Sequence, residues 1–482
     1  MKNFAVKPIL ALLLGLALCT GASATDWYAS DVVNSFRLGN PPYNDPAATL
    51  GKPSTWVNNS ETLGEVDPCA VTLIYPAWNV GLNGEKLIAT IKAKTSTLAA
   101  GYITVKFDTP IYDDPNNWHG KDFIVFGNAF FAASISDPNA ADTAENMILT
   151  AYDGTSISIE PSLVSVSPDG KDGNWYTYEN GPYADDYAPT HVFAWDWINN
   201  CWLKNSSGEE VELDFTRPVD PTWTESSFAN KSCAQAIDMY EGSGGGTAFD
   251  LAESGFDWIQ YIRVDGTGGE VDAFSRVSNA IESTTIGQAK KLDDGSHVVI
   301  DEVIVSAATY TVGRYCYVQQ ENRAGGIRVM GRVLDEGAKV KLCGDMDTID
   351  GERVILATSV LAITDDENNG ETVDVKPLGM PNKVISGSGL STTGLLVKTW
   401  GKVKSVDADT KSFVIDDGSG CGINCIAPRS TDDSVEANWG TIADPDFTAP
   451  QQGAFVTVTG VCSTEDSGST RVIRIRSLDD LQ

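Results

Sequence analysis

Histidine and basic side chains are scarce in this sequence. Its 482 residues include 3 histidines, and 34 lysine and arginine side chains stand against 66 aspartates and glutamates, which gives a formal net charge of −32. So few histidines exclude a histidine-rich metal centre, and the acidic excess repels nucleic acid and anionic membranes. The same charge favours divalent cations and neutral or basic partners.

The short motifs that mark many enzymes are also missing. There is no G-x-S-x-G nucleophile elbow, no H-E-x-x-H zinc motif and no G-x-x-x-x-G-K-[ST] phosphate loop. A Ser-His-Asp triad would depend on His119 or His191. A glycosidase pair could come from the abundant acids, but abundance alone makes such pairs inevitable. No catalytic residue is therefore predicted.

The N-terminus has the pattern of a secretory signal. Lys2 and Lys7 give the start of the chain a positive charge, residues 9–18 are almost purely apolar, and Ala22-Ser23-Ala24 follows. This predicts a signal peptide over residues 1–24. No later segment is apolar enough to span a bilayer, so no membrane insertion is expected after cleavage.

Cysteine spacing gives little support to a zinc site. Nine cysteines are present, and none forms a C-x-x-C pair. In an exported chain, disulfides are the natural interpretation. Cys201–Cys233 and Cys316–Cys343 are the preferred pairs, although sequence alone leaves the connectivity open.

Helix signals are nearly absent, and short alternating apolar runs dominate. Runs at residues 102–107, 122–126, 163–166 and 258–264 are bounded by turn residues, which is typical of β-sandwiches and barrels. The composition changes near residues 280–292, since ten of the twelve tryptophans precede this point. The sequence therefore predicts an all-β chain of at least two parts.

The second part contains an internal repeat. Its four segments recur in the same order: residues 317–320, 326–329, 337–344 and 353–355 match residues 413–416, 422–425, 453–460 and 471–473. Each copy offers about five strands, the strand count of a small barrel of the OB type.

Several N-terminal stretches resemble known proteins. The run DPAATLGKP at residues 45–53 resembles the opening of discoidin-like, galactose-binding jelly rolls. With residues 103–111, 121–128 and 246–252, it is similar to an uncharacterised family of bacterial secreted or cell-surface β-sandwich proteins. That family usually carries Glu before the Asn of the third stretch, where this sequence has Gly127. The resemblance implies a jelly-roll β-sandwich over residues 25–285, with an aromatic-rich insert at about 170–245.

The C-terminal part resembles a paired OB-fold module of bacterial exported proteins. The residues that carry this resemblance are 321–329, 351–355 and 394–401. It implies two OB-like barrels, at residues 286–378 and 394–482, joined by a glycine-rich linker at 379–393. Both resemblances imply a secreted or cell-surface location, with the periplasm as an alternative.

Acidic loop residues form a candidate calcium site. Hard cations take carboxylate and carbonyl oxygens from loops such as residues 113–117. The candidate ligands are Asp45, Asp113, Asp114, Asp122, Asn128 and Asp250. The alternative is that these side chains only form Asx-turns and caps.

Aromatic residues crowd the insert and form a candidate glycan site. Aromatic faces suit the apolar faces of sugar rings, and acids nearby can accept hydroxyl hydrogen bonds. The candidates are Trp175, Tyr178, Tyr183, Tyr187, Trp195 and Trp197. The alternation of Phe193, Trp195 and Trp197 also fits one face of a buried strand, so packing is the competing interpretation.

Three functions remain open from the sequence. The leading hypothesis is a non-catalytic binding protein that recognises glycan through the sandwich, with calcium as a structural ion. A structural envelope or matrix protein that contacts another surface protein is one alternative, and an extracellular hydrolase of polysaccharide or phosphodiester is the other. OB-like barrels often bind single strands, but the acidic second part argues against nucleic acid. Arg323 and Arg328 are interpreted as a surface ion network with Glu321.

Overall fold

The structure is a computed structural model that describes residues 24–53, 88–135, 147–150, 157–190, 193–363, 372–387, 391–431 and 440–482. It confirms the predicted all-β class, with a sheet-rich N-terminal part followed by two closed barrels. The predicted signal peptide lies outside the described residues except for Ala24. None of the described helices is long and apolar enough to cross a membrane.

The N-terminal part is built from short strands and a few helical turns. In chain order the strands are β1 (Asp31–Phe36), β2 (Ala89–Thr90), β3 (Tyr102–Tyr112), β4 (Phe123–Phe126), β5 (Phe130–Ile135), β6 (Met147–Thr150), β7 (Ile157–Ser158), β8 (Leu163–Ser167), β9 (Tyr176–Thr177), β10 (Trp195–Asp196), β11 (Cys201–Trp202), β12 (Thr247–Phe249), β13 (Trp258–Asp265), β14 (Glu270–Val271) and β15 (Ala273–Arg276). The helices are α1 (Glu225–Phe228) and α2 (Cys233–Met239), with 3-10 turns at Ala24–Trp27, Pro46–Thr49, Trp118–Gly120 and Leu251–Ser254.

Two sheets enclose the first apolar core. One has the order β1-β3-β13-β8-β9 and the other β12-β4-β15. Alternate residues of β3 (Ile103, Val105 and Phe107) are fully buried, and they share a core with Phe123 and Phe249 from the second sheet. The period-two pattern of the sequence therefore marks the inner faces of a sandwich.

The insert at residues 170–245 adds a second core beside the first. Phe228 of α1 and Tyr240 after α2 pack with Phe131 of β5, Leu149 of β6 and Trp195 of β10. Its outer side meets the first barrel, where the Trp197 N–H donates to the Gly331 C=O at 3.0 Å. The insert thus lies between the sandwich and the first barrel.

The C-terminal half contains two barrels with the same strand order. The first is formed by β16 (His297–Ala307), β17 (Cys316–Gln319), β18 (Gly326–Met330), β19 (Lys339–Ile349) and β20 (Glu352–Ala362), preceded by α3 (Ile286–Ala289). The second comprises β21 (Leu378–Gly379), α4 (Asn382–Ile385), β22 (Leu396–Val406), β23 (Phe413–Asp416), β24 (Ile423–Ile426), β25 (Phe455–Glu465) and β26 (Thr470–Arg474), with a 3-10 turn at Leu478–Asp480.

The repeat found in the sequence corresponds strand for strand to the two barrels. The five barrel strands are β16–β20 in the first copy and β22–β26 in the second, and β21 pairs at the edge of β22. In each barrel the third strand pairs in parallel with the fifth, as β18 with β20 and β24 with β26. The segment predicted as a linker is packed where it is described, because β21 pairs with β22 and Asn382 is fully buried against Thr399.

A buried ionic cluster joins the barrels to each other. The Glu352 carboxylate of the first barrel accepts hydrogen bonds from Arg328, from the Tyr317 hydroxyl at 3.1 Å and from Ser463 of the second barrel at 2.9 Å. Arg474 donates to Ser463 at 3.0 Å from the other side. The surface network predicted for Arg328 is therefore wrong, because this guanidinium lies in the seam between the barrels.

The two predicted disulfides are absent. Cys201 is an exposed free thiol on β11, so it does not bond to Cys233, which is buried in the first turn of α2. Cys316 points into the core of the first barrel, whereas Cys343 lies on the outside of β19 against the sandwich. Both of these thiols are free, since their side chains lie on opposite sides of the barrel wall.

Arg217 of the insert connects all three neighbouring parts. Arg217 is 1% exposed, and its guanidinium stacks on Trp118 of the sandwich, 4.0 Å from the ring centroid. It pairs with Glu241 at 2.5 Å and contacts the Cys343 sulfur of the first barrel at 3.6 Å. Lys341 of that barrel pairs with the same Glu241 at 2.8 Å. A buried charge is tolerated here because it is paired and stacked.

We expect Glu241→Gln to lower the free energy of unfolding by about 3–5 kcal/mol, because it leaves Arg217 as a buried charge without its carboxylate. Urea unfolding of the full chain measures the loss. Lys52→Gln is the control, since it breaks the half-exposed Lys52–Glu212 pair between the sandwich and the insert and should cost less than about 1 kcal/mol. Equal losses of unfolding free energy in the two variants would contradict the role of the Arg217–Glu241 pair in joining these parts.

Candidate ligand-binding site at one end of the sandwich

Three of the residues predicted as metal ligands meet at one end of the sandwich. Asp113 follows β3, Asp122 precedes β4 and Asp250 follows β12. Because β4 and β12 are paired, and the Asp122 N–H donates to the Phe249 C=O at 2.8 Å, Asp122 and Asp250 become neighbours. One ligand atom from each of the three carboxylates lies within 4.8 Å of the others. We call this group the acid triad.

Asp122 is the buried member of the acid triad. Its carboxylate accepts hydrogen bonds from Asp114 N–H at 3.0 Å, Asn117 Nδ2 at 3.1 Å and Leu251 N–H at 2.7 Å. Burial and, to a smaller extent, nearby Asp113 raise the pKa of Asp122 to about 6, against the opposing effect of these donors. Keeping the buried Asp122 carboxylate ionised at neutral pH therefore costs free energy, and a bound divalent cation would offset that cost.

The donor set of the triad fits a hard cation. Carboxylate oxygens suit calcium or magnesium rather than zinc or copper, and calcium takes its further ligands from carbonyls and water. In the described part of the chain, the lysine paired with the triad is Lys121, whose Nζ lies 3.8 Å from Asp250 Oδ2. This is a long ion pair between partly exposed side chains, and such pairs contribute little stability.

An exposed aromatic pair adjoins the acid triad. Tyr112 and Trp258 are directly opposite each other in the β3–β13 pairing, so their side chains share one face of the sheet. Tyr112 is 60% exposed and Trp258 is 37% exposed. The Asp113 N–H donates to the Asp257 C=O at 3.1 Å, which continues the ladder into the triad. The surface of the aromatic pair is therefore adjacent to the triad at this end of β3 and β13.

A cavity of about 190 Å³ lies beside this surface. Its lining includes Trp27, Tyr112, Asp114, Asp122 and Arg276. Hydrogen bonds from Asn116, first among several donors, hold the pKa of Asp114 below its usual range. Asp114 thus lines the cavity as a carboxylate and lies outside the triad, although it was predicted as a ligand. The cavity thus combines the rings of Trp27 and Tyr112 with carboxylate acceptors and the guanidinium donor of Arg276.

The two other predicted ligands lie elsewhere. Asp45 caps the 3-10 turn at Pro46–Thr49 by accepting the Ala47 N–H at 3.1 Å, as the capping alternative anticipated. Asn128 lines a separate cavity of about 450 Å³ with the carboxyl groups of Glu160, Asp185 and Glu270. The six candidates therefore do not form a single site.

The separate cavity explains why a glycine stands at position 127. A Cβ atom placed on Gly127 would lie 2.0 Å from Asp185 Oδ1, so any side chain there would collide with this carboxylate. Asp185 is held in place by the backbone N–H groups of Ala129 at 2.7 Å and Glu160 at 3.1 Å. The Asp185 carboxylate of the insert therefore requires a glycine at position 127.

The aromatic residues of the insert serve mostly as packing. Tyr178 is buried in the sandwich core and Trp195 in the second core, so neither ring offers a face to a glycan, contrary to the prediction. Trp175 is covered on one face by the Arg263 guanidinium, 4.3 Å from the ring centroid. Tyr183, Tyr187 and Trp197 are half-buried.

The two described histidines, His119 and His297, belong to neither the triad nor the aromatic pair. His119 lies beside Trp118, and burial lowers the pKa of its imidazole. His297 pairs with Asp345 on the first barrel at 2.8 Å. His191 lies outside the described residues.

Comparisons with known proteins add no family to this account. No known protein family and no curated protein matches the sequence. Among solved structures, a murine DNA-binding protein bound to double-stranded DNA shares 12% sequence identity, with a TM-score of 0.21 over 37% of this chain and 93% of its own. At that TM-score the likeness carries no argument about function.

Proposed function

We propose that this chain is a non-catalytic, exported binding protein that recognises a glycan at the sandwich end formed by Tyr112, Trp258 and the acid triad. The observation that carries the proposal is the exposed Tyr112–Trp258 pair directly beside Asp113. A sugar ring needs an apolar platform for its C–H face and polar groups for its hydroxyls, and this surface supplies both. We call it the sandwich-end site.

Each group at the sandwich-end site has a distinct role in this proposal. The two rings take the apolar face of one sugar unit. Asp114 accepts hydroxyl hydrogen bonds, and Arg276 lines the same cavity as a donor. Pairing within the sheet fixes the rings in advance, so little conformational entropy is lost on binding.

Calcium is the proposed structural ion of the site. It would bridge Asp113, Asp122 and Asp250 and so connect the end of β3 to the start of β4 and the end of β12. That would hold Tyr112 in register with Trp258. The ion rigidifies the loop and takes no part in a reaction.

Export supports this function but rests on the sequence alone. The signal pattern at residues 1–24 and the net charge of −32 favour a secreted or cell-surface protein. Another surface protein remains the alternative partner for the same exposed rings, since tyrosine and tryptophan are also enriched at protein interfaces.

A glycan array probed with the full chain in calcium tests the proposal. We expect selective binding of neutral or hydroxyl-rich glycans, weakened about tenfold or more by Trp258→Ala or Tyr112→Ala, because each removes a central aromatic contact. Phe36→Ala is the matched control, since Phe36 is an exposed ring on β1 away from this end.

A blank array with well-folded protein would rule out glycan recognition and favour the surface-protein alternative. Binding that survives both ring variants but is lost in Tyr183→Ala would return the site to the insert.

Calorimetric titration of chelated protein with calcium tests the ion. We expect measurable heat and a higher melting temperature, both lost in Asp113→Asn and kept in Asp301→Asn, an exposed acid on the first barrel.

The affinity for calcium should depend on pH, because the folded-state pKa of Asp122 is raised, to about 6. Protons therefore compete with the ion below that pH, and calcium affinity should fall as the pH drops from 7 to 5. Affinity that is flat over this range would contradict the involvement of Asp122.

A further inference from the structure

The outer face of the second barrel carries a strip of lysine and aromatic side chains. It consists of Lys398, Trp400, Lys402 and Lys404 of β22 together with Phe455 of β25. Strand residues alternate between faces, and the intervening residues Val397 and Val403 pack in the core of the barrel. We call the outward set the lysine–aromatic strip.

Both rings of the lysine–aromatic strip are open to solvent. Trp400 is 53% exposed and Phe455 is 78% exposed. In the β22–β25 pairing, Lys402 is opposite Phe455 and Trp400 is opposite Thr457, so the two rings lie on neighbouring rungs of one face. Among the described tryptophans only Trp258 and Trp400 are exposed. The two rings add to one contiguous apolar area, and contiguous exposed apolar area is the kind of surface that marks binding sites.

The charge of the strip opposes that of the whole chain. Lys404 pairs with Asp416 at 3.3 Å. Within the described residues, Lys398 and Lys402 form no ion pair with a carboxylate. Asp416 lies opposite Lys402 in the β22–β23 pairing, but its ion pair is with Lys404. Two lysines outside ion pairs beside exposed rings, in a chain with a net charge of −32, provide local complementarity to an anion that the rest of the surface repels.

The strand that bears the strip is held rigidly. β22 pairs with β23 on one side and with β25 on the other. At its start, Leu396 lies on the same face as the strip and packs against the first barrel with Tyr317 and Val461. The strip therefore begins at the seam between the barrels and runs outward on a fixed backbone.

We propose that the lysine–aromatic strip binds an anionic polysaccharide, of the kind that carries carboxylates on its sugar rings. Trp400 and Phe455 would take the apolar faces of successive sugars, and Lys398 and Lys402 would pair with the carboxylates between them. This surface is distinct from the sandwich-end site, and the inference does not depend on that site.

Nucleic acid is the competing polymer for this strip. Its binding is dominated by the cations that neutralise its phosphates, and the strip offers two lysines outside ion pairs in a chain with a net charge of −32. The two exposed rings suit the apolar faces of sugars, and a single-stranded oligonucleotide serves as the competing ligand in the test. A second copy of this chain could also present carboxylates, and it is treated as an outcome of the test.

Binding of polygalacturonate by the full chain, followed by calorimetry and by tryptophan fluorescence, tests the proposal. We expect binding that weakens with added salt and that drops about tenfold in Trp400→Ala and severalfold in Lys402→Gln. Lys383→Gln is the charge control, because Lys383 is exposed on α4 of the same barrel. Trp258→Ala should bind polygalacturonate as the unaltered chain does, which separates this surface from the sandwich-end site.

Four results would overturn the inference. They are no polygalacturonate binding by folded protein, binding unchanged in Trp400→Ala, equal or tighter binding of a single-stranded oligonucleotide, and Trp400-dependent self-association in sedimentation. The third would assign the strip to nucleic acid, and the fourth to a second copy of the chain. Trp400 is exposed, so its variant should retain the melting temperature of the parent.

Discussion

The antiparallel pairing of β3 with β13 is the interaction on which the sandwich-end site depends. The two strands lie side by side at the centre of the larger sheet, flanked by β1 and β8. Their register brings Tyr112 opposite Trp258, although these residues are far apart in the sequence. Asp113 then follows directly from β3 into the acid triad. A slip of one residue between the two strands would leave the two rings on opposite faces and destroy the platform.

Two buried charge clusters link the parts of the chain, and a third charge cluster lies at the sandwich end. Arg217 links the sandwich and the insert to the first barrel, and Glu352 links that barrel to the second. At the third place, the acid triad, the acids outnumber the cations in contact with them. The first two clusters are internally paired and hold domains together, whereas the triad has an excess of negative charge that a divalent cation would balance. This contrast is why we assign structure to the former and binding to the latter.

Local patterns predicted the folds well, because alternating apolar residues and a repeat in fixed order depend only on neighbouring positions. The acidic loop at residues 113–117 also indicated Asp113, whereas Asp122 and Asp250 were indicated by the stretches that carry the family resemblance. Tyr112 and Trp258 were missed as a pair because their contact arises from long-range register. The high density of aromatic residues in the insert belongs to a second core. The predicted cysteine pairs were wrong because the direction of each side chain, into the core or away from it, depends on long-range packing that local patterns do not show.

The central claim is that an ion and a sugar share the end of the sandwich. A crystal structure of the full chain grown with calcium and an oligosaccharide that it binds tests this most directly. The account predicts an ion bound by Asp113, Asp122 and Asp250, and a sugar ring stacked on Tyr112 and Trp258. An empty sandwich end at saturating ligand, with the sugar bound elsewhere on the chain, would contradict it.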